Sequence, residues 1–491
     1  MAEEIVEKKE IDYSKIGLKA GLEIHQQLDT GKLFSRTPSL LRSDKPDYIV
    51  RRKLHAVAGE EGEIDKAVKH EASLDKEFEY EGYNDTISLI ELDESPPQEI
   101  DKDALEEAVK IALLLNCEIY SIVQVMRKTV IDGSNTSGFQ RTLLIGHDGF
   151  IETSLGKVRI DSVALEEDAA RIVEKQDGKT RFRLDRLGIP LVEIGTMPDL
   201  KTPEHIKETA LKLGEIVRAC KVKRGIGTIR QDLNISIKGH DRVEIKGFQE
   251  PKMMIKTVEL EIDRQLKDLK EKKKEGEVRN ALADGKTERL RPMPGRARMY
   301  PETDLELLKI GRHMINDAKR NLPKLKSDRR KEFEKSGLSE ELMNLILNDS
   351  QLGEEFNVLM KVYSGNANLV GKMISLWRSE LAKKSGKKLE EAKEILGERE
   401  LEHILEKVRE REIDEGDVKA VMSDVLDGKK VEEAVKIEKA NDNEIEEKIR
   451  KIIKEKPGLI ENAYMGLIMK EFKGKVNAKK VMEIIKKILE E

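Results

Sequence analysis

Residues Thr228–Lys246 read TIRQDLNISIKGHDRVEIK. In the first half, Arg230, Asp232, Asn234 and Ser236 alternate with Leu233, Ile235 and Ile237, the period of a strand with one apolar face. Lys238–Asp241 forms a turn, and RVEIK follows, with Arg242, Glu244 and Lys246 opposite Val243 and Ile245. The stretch predicts a hairpin presenting a charged face. Upstream, Gly21–Leu28 (GLEIHQQL) repeats the pattern, with Leu22 and Ile24 on one side and Glu23, His25 and Gln27 on the other. Thr86–Leu92 also reads as a strand. Between these lie helical periods. One starts near Asp101 with Leu105, Val109, Ala112 and Leu113 inward, and one runs from about Pro203 to Cys220, capped by Thr202. Strands and helices are interspersed without regular βαβ repeats, and no G-x-G-x-x-G follows a strand. The expected class is therefore α+β, not a dinucleotide fold.

Further along, Arg264–Arg291 is highly charged and reads as a helix end followed by a solvated connection. From about Leu305 the texture turns to Leu/Lys/Glu helices, punctuated at Asp427–Lys430 and Asn441–Asn443. The expected organisation is a mixed-sheet domain over residues 1–310, a helical domain over 311–435 and a small helical tail over 436–491.

Composition removes several classes. The chain has 491 residues, 38 % of them charged, with 91 basic against 96 acidic and a net charge of −5. No run approaches the ~18 apolar residues that span a membrane. The N-terminus (MAEEIVEKKEIDYS) lacks the apolar core of a secretory signal. Two cysteines, Cys117 and Cys220, are too few for a disulfide framework or a Cys₄ zinc site, so a reducing, cytoplasmic home is expected. Each cysteine ends an apolar helix and reads as a packing residue. The net charge conceals an asymmetry. Lys448–Glu491 holds 12 Lys/Arg against 6 acids, and Lys473, Lys475, Lys479 and Lys480 cluster around a helix start, where phosphates of a nucleic acid could dock.

The chemistry gathers on the strands. Gly21–Leu28 offers Glu23 and His25; Ala164–Arg171 (ALEEDAAR) offers Glu166, Glu167 and Asp168; the hairpin offers Arg230, Asp232, Glu244 and Lys246. Any one such strand is ordinarily a solvated polar face. Together they supply the oxygen ligands that Mg²⁺ takes beside nucleotide phosphates, with cations to offset charge on a transferring phosphoryl group. A second constellation, Val125–Thr142, places Arg127, Lys128 and Arg141 around a Gly/Ser/Asn-rich turn carrying Asp132, a possible phosphate or substrate cradle. Gly285–Thr287 (GKT) lacks the earlier glycine of a Walker A loop, and no C-x-x-C, H-E-x-x-H or G-x-S-x-G occurs. If the protein uses ammonia from an amide, none of these motifs is present to release it.

Taken in order, GLEIHQQLDTGKLF, EYEGYNDTISLIELDESPP, MRKTVIDGSNTSGFQRT, LEEDAAR, LDRLGIPLVEI, VKRGIGTIRQDLNISI, VEIKG and GRARMYPETD resemble the E-subunit family of archaeal glutamyl-tRNA(Gln) amidotransferases, related to the bacterial B subunits. The tail, through AYMGLIMKEFKGKVNAKKVMEII, resembles that family's YqeY-like domain. The resemblance implies a catalytic cradle domain and a carbon–nitrogen ligase with glutamine as amide donor. Such an enzyme spends ATP to phosphorylate the glutamate side chain of Glu-tRNA(Gln) and lets ammonia displace phosphate. It implies Glu23, His25, Glu166 and Glu167 as metal ligands, with Glu23, His25, Glu167 and Glu244 catalytic. Arg127, Lys128, Asp132, Arg141, Arg230, Asp232 and Lys246 would serve substrate or the ammonia route, and Lys473, Lys475, Lys479 and Lys480 the tRNA. ATP and Mg²⁺ are the implied cofactors, and an asparaginase-like D subunit the ammonia donor, in an assembly of two D and two E subunits. There are two departures from the family pattern. The usual aspartyl-tRNA-synthetase-like insertion is replaced by the short charged connection, and Ser35 stands where many B subunits carry a cysteine, so no zinc is expected. An ammonia ligase acting on a free acid and a tRNA-binding assembly scaffold are the competing readings.

Overall fold

Strands β1 (Lys19–Gln27), β2 (Tyr48–Arg52) and β3 (Glu77–Gly82) precede helix α1 (Lys102–Leu114). Then come β4 (Glu118–Ile119), β5 (Ile122–Val123), β6 (Met126–Thr129), β7 (Phe139–Thr153) and β8 (Gly156–Glu167). After β9 (Arg171–Gln176), β10 (Lys179–Arg183) and β11 (Pro190–Thr196) the chain enters α2 (Pro203–Ala219). The hairpin β12 (Ile229–Ser236) and β13 (Val243–Lys246) leads into α3 (Pro251–Lys270). Strands β14 (Glu277–Ala281), β15 (Thr287–Pro292), β16 (Met299–Pro301) and β17 (Leu308–Lys309) end at α4 (Arg312–Arg320). The computed structural model describes residues 12–53, 77–130, 132–176, 178–248, 251–293, 299–436, 442–472 and 478–490.

The large sheet runs β15-β14-β13-β12-β1-β11-β8-β7-β6-β16, with β4 beside β7. Its apolar face is the one the alternation marked. Leu22, Ile24, Val192, Ile194, Leu233, Ile235, Val243 and Ile245 are buried against the inward residues of α1, α2 and α3 in one core. Both predicted helices start where side chains satisfy free N–H groups. The Asp101 carboxylate accepts from the Ala104 N–H at 2.8 Å, and the Thr202 hydroxyl accepts from the His205 N–H at 3.1 Å with Pro203 in the first turn. The fold is α+β, and the hairpin register Leu233↔Ile245, Asn234↔Glu244, Ile235↔Val243 is antiparallel.

A second sheet, β2-β3-β10-β9, closes over Phe78, Tyr80, Tyr83, Phe182 and Leu184. The loop between β6 and β7 is tied to this core, because the Tyr80 hydroxyl donates to the Gly133 carbonyl at 2.8 Å. Gly133 has φ +89°, and a Cβ there would collide with the Phe78 ring, so only glycine lets the loop approach so closely.

Two expectations are corrected. Thr86–Leu92 is a run of turns, and the strand lies earlier, at β3. Glu91 accepts from both the Ser88 N–H (2.8 Å) and its hydroxyl (2.6 Å), and such local bonding competes with a ladder. Nor is the charged stretch after Arg264 only a connection. Beyond α3, β14 pairs parallel to β13 and antiparallel to β15, extending the large sheet by a hairpin. Buried Val278 and Ala281, the turn at Gly285 (φ +86°) and Glu261, which is buried in α3 and bound by Thr287 at 3.0 Å, anchor it.

The chain divides into Met1–Leu325 and Lys326–Glu491. Ile310 and Ala318, flanking and within α4, belong to the core of the first unit. The second unit is helical. One core runs from Phe333 to Ala434, and another joins Ile445 and Ile449 to Tyr464, Ile468, Val481 and Ile485. Lys479 and Lys480 lie on the closing helix, Ala478–Glu490, whereas Lys473 and Lys475 lie outside the described residues.

Candidate active site

The ladders carry the charged residues onto one face. Glu23 is opposite Asp232, and His25 is opposite Arg230 on one side and Glu193 on the other. Glu193 pairs with Ala164 in β8, Glu166 pairs with Thr142 in β7, and Gln140 pairs with Lys128 in β6. Asn234 pairs with Glu244 in β13. Directly opposite residues share a face, so one polar row crosses seven strands, on the side away from the helices.

At its centre the His25 Nε2 lies 3.3 Å from Glu23, 3.5 Å from Glu193 and 3.8 Å from Glu166. Lys128 Nζ lies 2.9 Å from Glu166 and 3.7 Å from Glu193. Lys246 Nζ lies 2.5 Å from both Asp232 and Glu244. Beside these, Asp168 is buried and accepts from the Gln27 amide at 2.6 Å and from Arg230 at 2.8 Å.

Protonation follows from the crowding. Burial, then the neighbouring Glu193, pushes the Glu23 carboxyl up to about 7. Burial opposes the charged form of His25, but hydrogen bonding and attraction from Glu193, with Glu166 and Glu23 beyond, push it up to about 9. Burial raises Glu166 as well. Glu193 moves the other way: burial opposes its charge, yet the His25 hydrogen bond and Lys128 hold it well below the carboxylate range. Six carboxylates (Glu23, Glu166, Asp168, Glu193, Asp232, Glu244) thus face four bases (His25, Lys128, Arg230, Lys246). The row is short of positive charge. His25, Glu166 and Glu193 offer ligand atoms within 4.8 Å of one another, as do Glu23, His25 and Asp232. Oxygen-rich donors with too little positive charge suit a hard divalent cation, and the residues present fit one.

Glu167 stands apart. Successive residues of a strand point to opposite faces, and Glu167 meets Arg141 at 3.4 Å on the side away from Glu166. Burial raises its carboxyl, against the pull of Arg141. Arg141 also donates to Glu302 at 2.8 Å, and Arg127 binds the other oxygen of that carboxylate. The two guanidiniums lie over the Phe139 ring, at 5.1 Å and 4.6 Å. Of the predicted metal set, then, Glu23, His25 and Glu166 come together and Glu167 does not join them. Asp132 accepts from the Ser134 N–H (2.9 Å) and hydroxyl (2.6 Å), the bonding of a turn-forming residue. Cys117 and Cys220 are buried, and burial pushes each thiol up to about 12.

Glu193 and Glu302 were not singled out from the sequence, whereas Asp168 and Gln27 were read on the polar faces without a role of their own. Glu193 has a usable signal, a lone acid between Val192 and Ile194 in a strand-like run. Glu302 has none, because its partners are over 160 residues upstream.

With this geometry in view, the comparisons are decisive about kinship. The model of the GatB/GatE catalytic domain matches residues 18–316. The E subunit of glutamyl-tRNA(Gln) amidotransferase from Methanocaldococcus jannaschii is 34 % identical over 654 aligned positions, covering 98 % of this chain and 100 % of the relative. The proteins of the same description from Methanococcus maripaludis and Pyrococcus abyssi are 49 % and 53 % identical, over 55 % and 53 % of this chain. Those two matches span 43 % and 41 % of the relatives' own lengths. The chain belongs to the GatB/GatE family. Its 491 residues are fewer than the 654 positions of the first alignment, so the M. jannaschii protein carries residues with no counterpart here. Among the described residues, no helix is long and apolar enough to cross a membrane.

Proposed function

We propose that this chain is the ATP-using subunit of a cytoplasmic tRNA-dependent amidotransferase that converts Glu-tRNA(Gln) to Gln-tRNA(Gln). A glutamate side chain is a carboxylate and a poor electrophile for ammonia. Transfer of the ATP γ-phosphoryl group forms an O–P bond to that carboxylate and releases ADP. The lone pair of ammonia then attacks the acyl carbon, phosphate leaves with the bonding pair, and nitrogen loses a proton. What supports this is the acidic row itself, held together by His25 and Lys128 yet short of positive charge.

Glu23, Glu166, Glu193 and His25 would hold Mg²⁺, with Asp232 and Glu244 alongside. When bound, that ion would supply charge neutralisation for the phosphates. Lys128, Lys246 and Arg230 would contact phosphoryl oxygens or the substrate carboxylate. Arg141, clamped between Glu167 and Glu302 with Arg127 beside it, would position the neighbouring strands β6–β8 and exclude water. Ammonia would come from an asparaginase-like D subunit, in an assembly of two D and two E chains, because this chain carries no amide-cleaving nucleophile motif.

The test supplies ammonium in place of the partner and follows γ-phosphate release from ATP with and without Glu-tRNA(Gln). Release that depends on the charged tRNA, with Gln-tRNA formed, is expected. Release independent of tRNA would favour a ligase on a free acid, and absence of release with tRNA still bound would favour a scaffold.

A further inference from the structure

The segment between α2 and β12 (KVKRGIGT, Lys221–Thr228) carries at its tip Ile226, which is fully exposed. Glycines with positive φ flank it, Gly225 at +119° and Gly227 at +82°. A lone exposed isoleucine is ordinary; this one sits on a built support. The Gln26 side chain, itself buried, donates to the Lys223 carbonyl at 3.0 Å and the Thr228 carbonyl at 3.2 Å, clamping both stems of the loop. The backbone of Gln27 does the same, donating to Thr228 at 2.9 Å and accepting from Lys223 at 3.0 Å. Thr228 closes the tip by donating to the Gly225 carbonyl at 2.8 Å. The finger is thus rooted on the residues directly after His25, about 7 Å along the strand from it.

Its surroundings are basic. Arg218, Lys221, Lys223 and Arg224 line its base, and Arg230 follows at the start of β12. Arg224 donates to the Arg218 carbonyl at 2.9 Å, Lys223 to the Ser39 carbonyl at 2.6 Å, and Lys223 lies 3.6 Å from Asp29. The Lys221 N–H donates to the Glu107 carboxylate at 2.9 Å, but the charged ends of the Lys221 and Arg224 side chains form no ion pair with a carboxylate among the described residues. An apolar tip with unpaired cations at its root matches a flexible polyanion with flat apolar faces, a single-stranded nucleic acid end.

We infer that the Lys221–Thr228 finger holds the single-stranded 3′ end of the RNA substrate, Ile226 packing on a terminal base while Lys221 and Arg224 meet its phosphates. This rests on the reading given under the proposed function and adds to it the element that delivers the aminoacyl ester to the His25 cluster. Ile226 is a positioning residue in this scheme.

The experiment uses the full-length chain and two fluorescent RNA acceptor stems, one with a three-nucleotide single-stranded 3′ end and one blunt. Wild type is expected to bind the first about ten-fold more tightly. Ile226→Gly and Lys221→Ala/Arg224→Ala are expected to lose most of that preference while binding the blunt stem unchanged, and Ile226→Leu to restore it. In turnover with ammonium, Ile226→Gly should raise KM for Glu-tRNA(Gln) about five- to ten-fold and leave kcat unaltered. Unchanged preference in both variants overturns the inference, as does equal loss for both stems. Loss of a partner subunit on gel filtration with RNA binding intact would make the finger a protein contact and also overturn it. If wild type turns over Glu-tRNA(Gln) while these variants match it, the finger alone is refuted and the proposed function stands.

Discussion

Glu79 and Glu23 are both glutamates on strands of the same unit, and their surroundings drive them in opposite directions. Glu79, on the small sheet, is held by Lys179 at 2.6 Å, Arg181 at 2.8 Å and Arg51 at 2.9 Å, and these hydrogen bonds hold its carboxyl down at about 2. Glu23, on the large sheet, shares one histidine with two other carboxylates and is pushed up to about 7. In the first cluster the three bases are matched by three carboxylates, since Lys179 also lies 4.0 Å from Glu77 and Arg181 3.2 Å from Glu174, and it is complete as it stands. The second is incomplete, and only an added cation or a proton can balance it. The presence of carboxylates therefore does not mark the site; an unmatched charge does.

That contrast can be broken most forcefully at Glu166. Glu166→Gln is expected to lower phosphoryl transfer by at least ~10²-fold while the unfolding midpoint stays or rises, because a crowded negative charge is removed. A fall in stability as large as the fall in rate would make the row structural. Glu79→Gln should do the reverse, leaving turnover intact and costing about 1–3 kcal/mol in urea unfolding, the range for lost charge-assisted hydrogen bonds. Its pH dependence has a definite sign. A carboxyl depressed from 4.5 to about 2 contributes stability that is fully present above about pH 4.5 and is lost as pH falls toward 2. The gap between wild type and Glu79→Gln should close over that window, and a gap independent of pH would contradict the assignment.

Mg²⁺ alone sharpens the comparison further. Adding it should raise the melting temperature of wild type, of Glu79→Gln and of Glu167→Gln, but not of Glu166→Gln, since a ligand that binds only the folded state stabilises by mass action. A shift lost in Glu167→Gln and kept in Glu166→Gln would reverse the roles given to these neighbours. The smallest effect is expected in the tail. Lys479→Ala with Lys480→Ala should weaken tRNA binding a few-fold and reduce the salt slope by roughly 1–2 units, and an unchanged slope would remove those lysines from the interface.

Much of the large sheet was legible because one face is apolar. Period-2 alternation in Gly21–Leu28 and Thr228–Lys246 put Glu23, His25, Arg230, Asp232, Glu244 and Lys246 on their shared face before any pairing was known. Strand order is not written in alternation, so the arrival of Glu193 beside His25, through β11, was not legible. The same limit explains Glu166 and Glu167. Three acids in a row look equivalent in sequence, and only the pleat, the partner Arg141 and the distant Glu302 separate them. The edge hairpin β14–β15 was hidden by its charge, because an edge strand with one solvated face carries few apolar residues.

The most direct test of the whole reading is γ-phosphate release from ATP in the presence of ammonium, measured with and without Glu-tRNA(Gln) for wild type and Glu166→Gln side by side. The expected result is tRNA-dependent release in wild type and its loss in Glu166→Gln, with tRNA affinity kept within a few-fold. Equal release by both proteins, or release that ignores the tRNA, would contradict it.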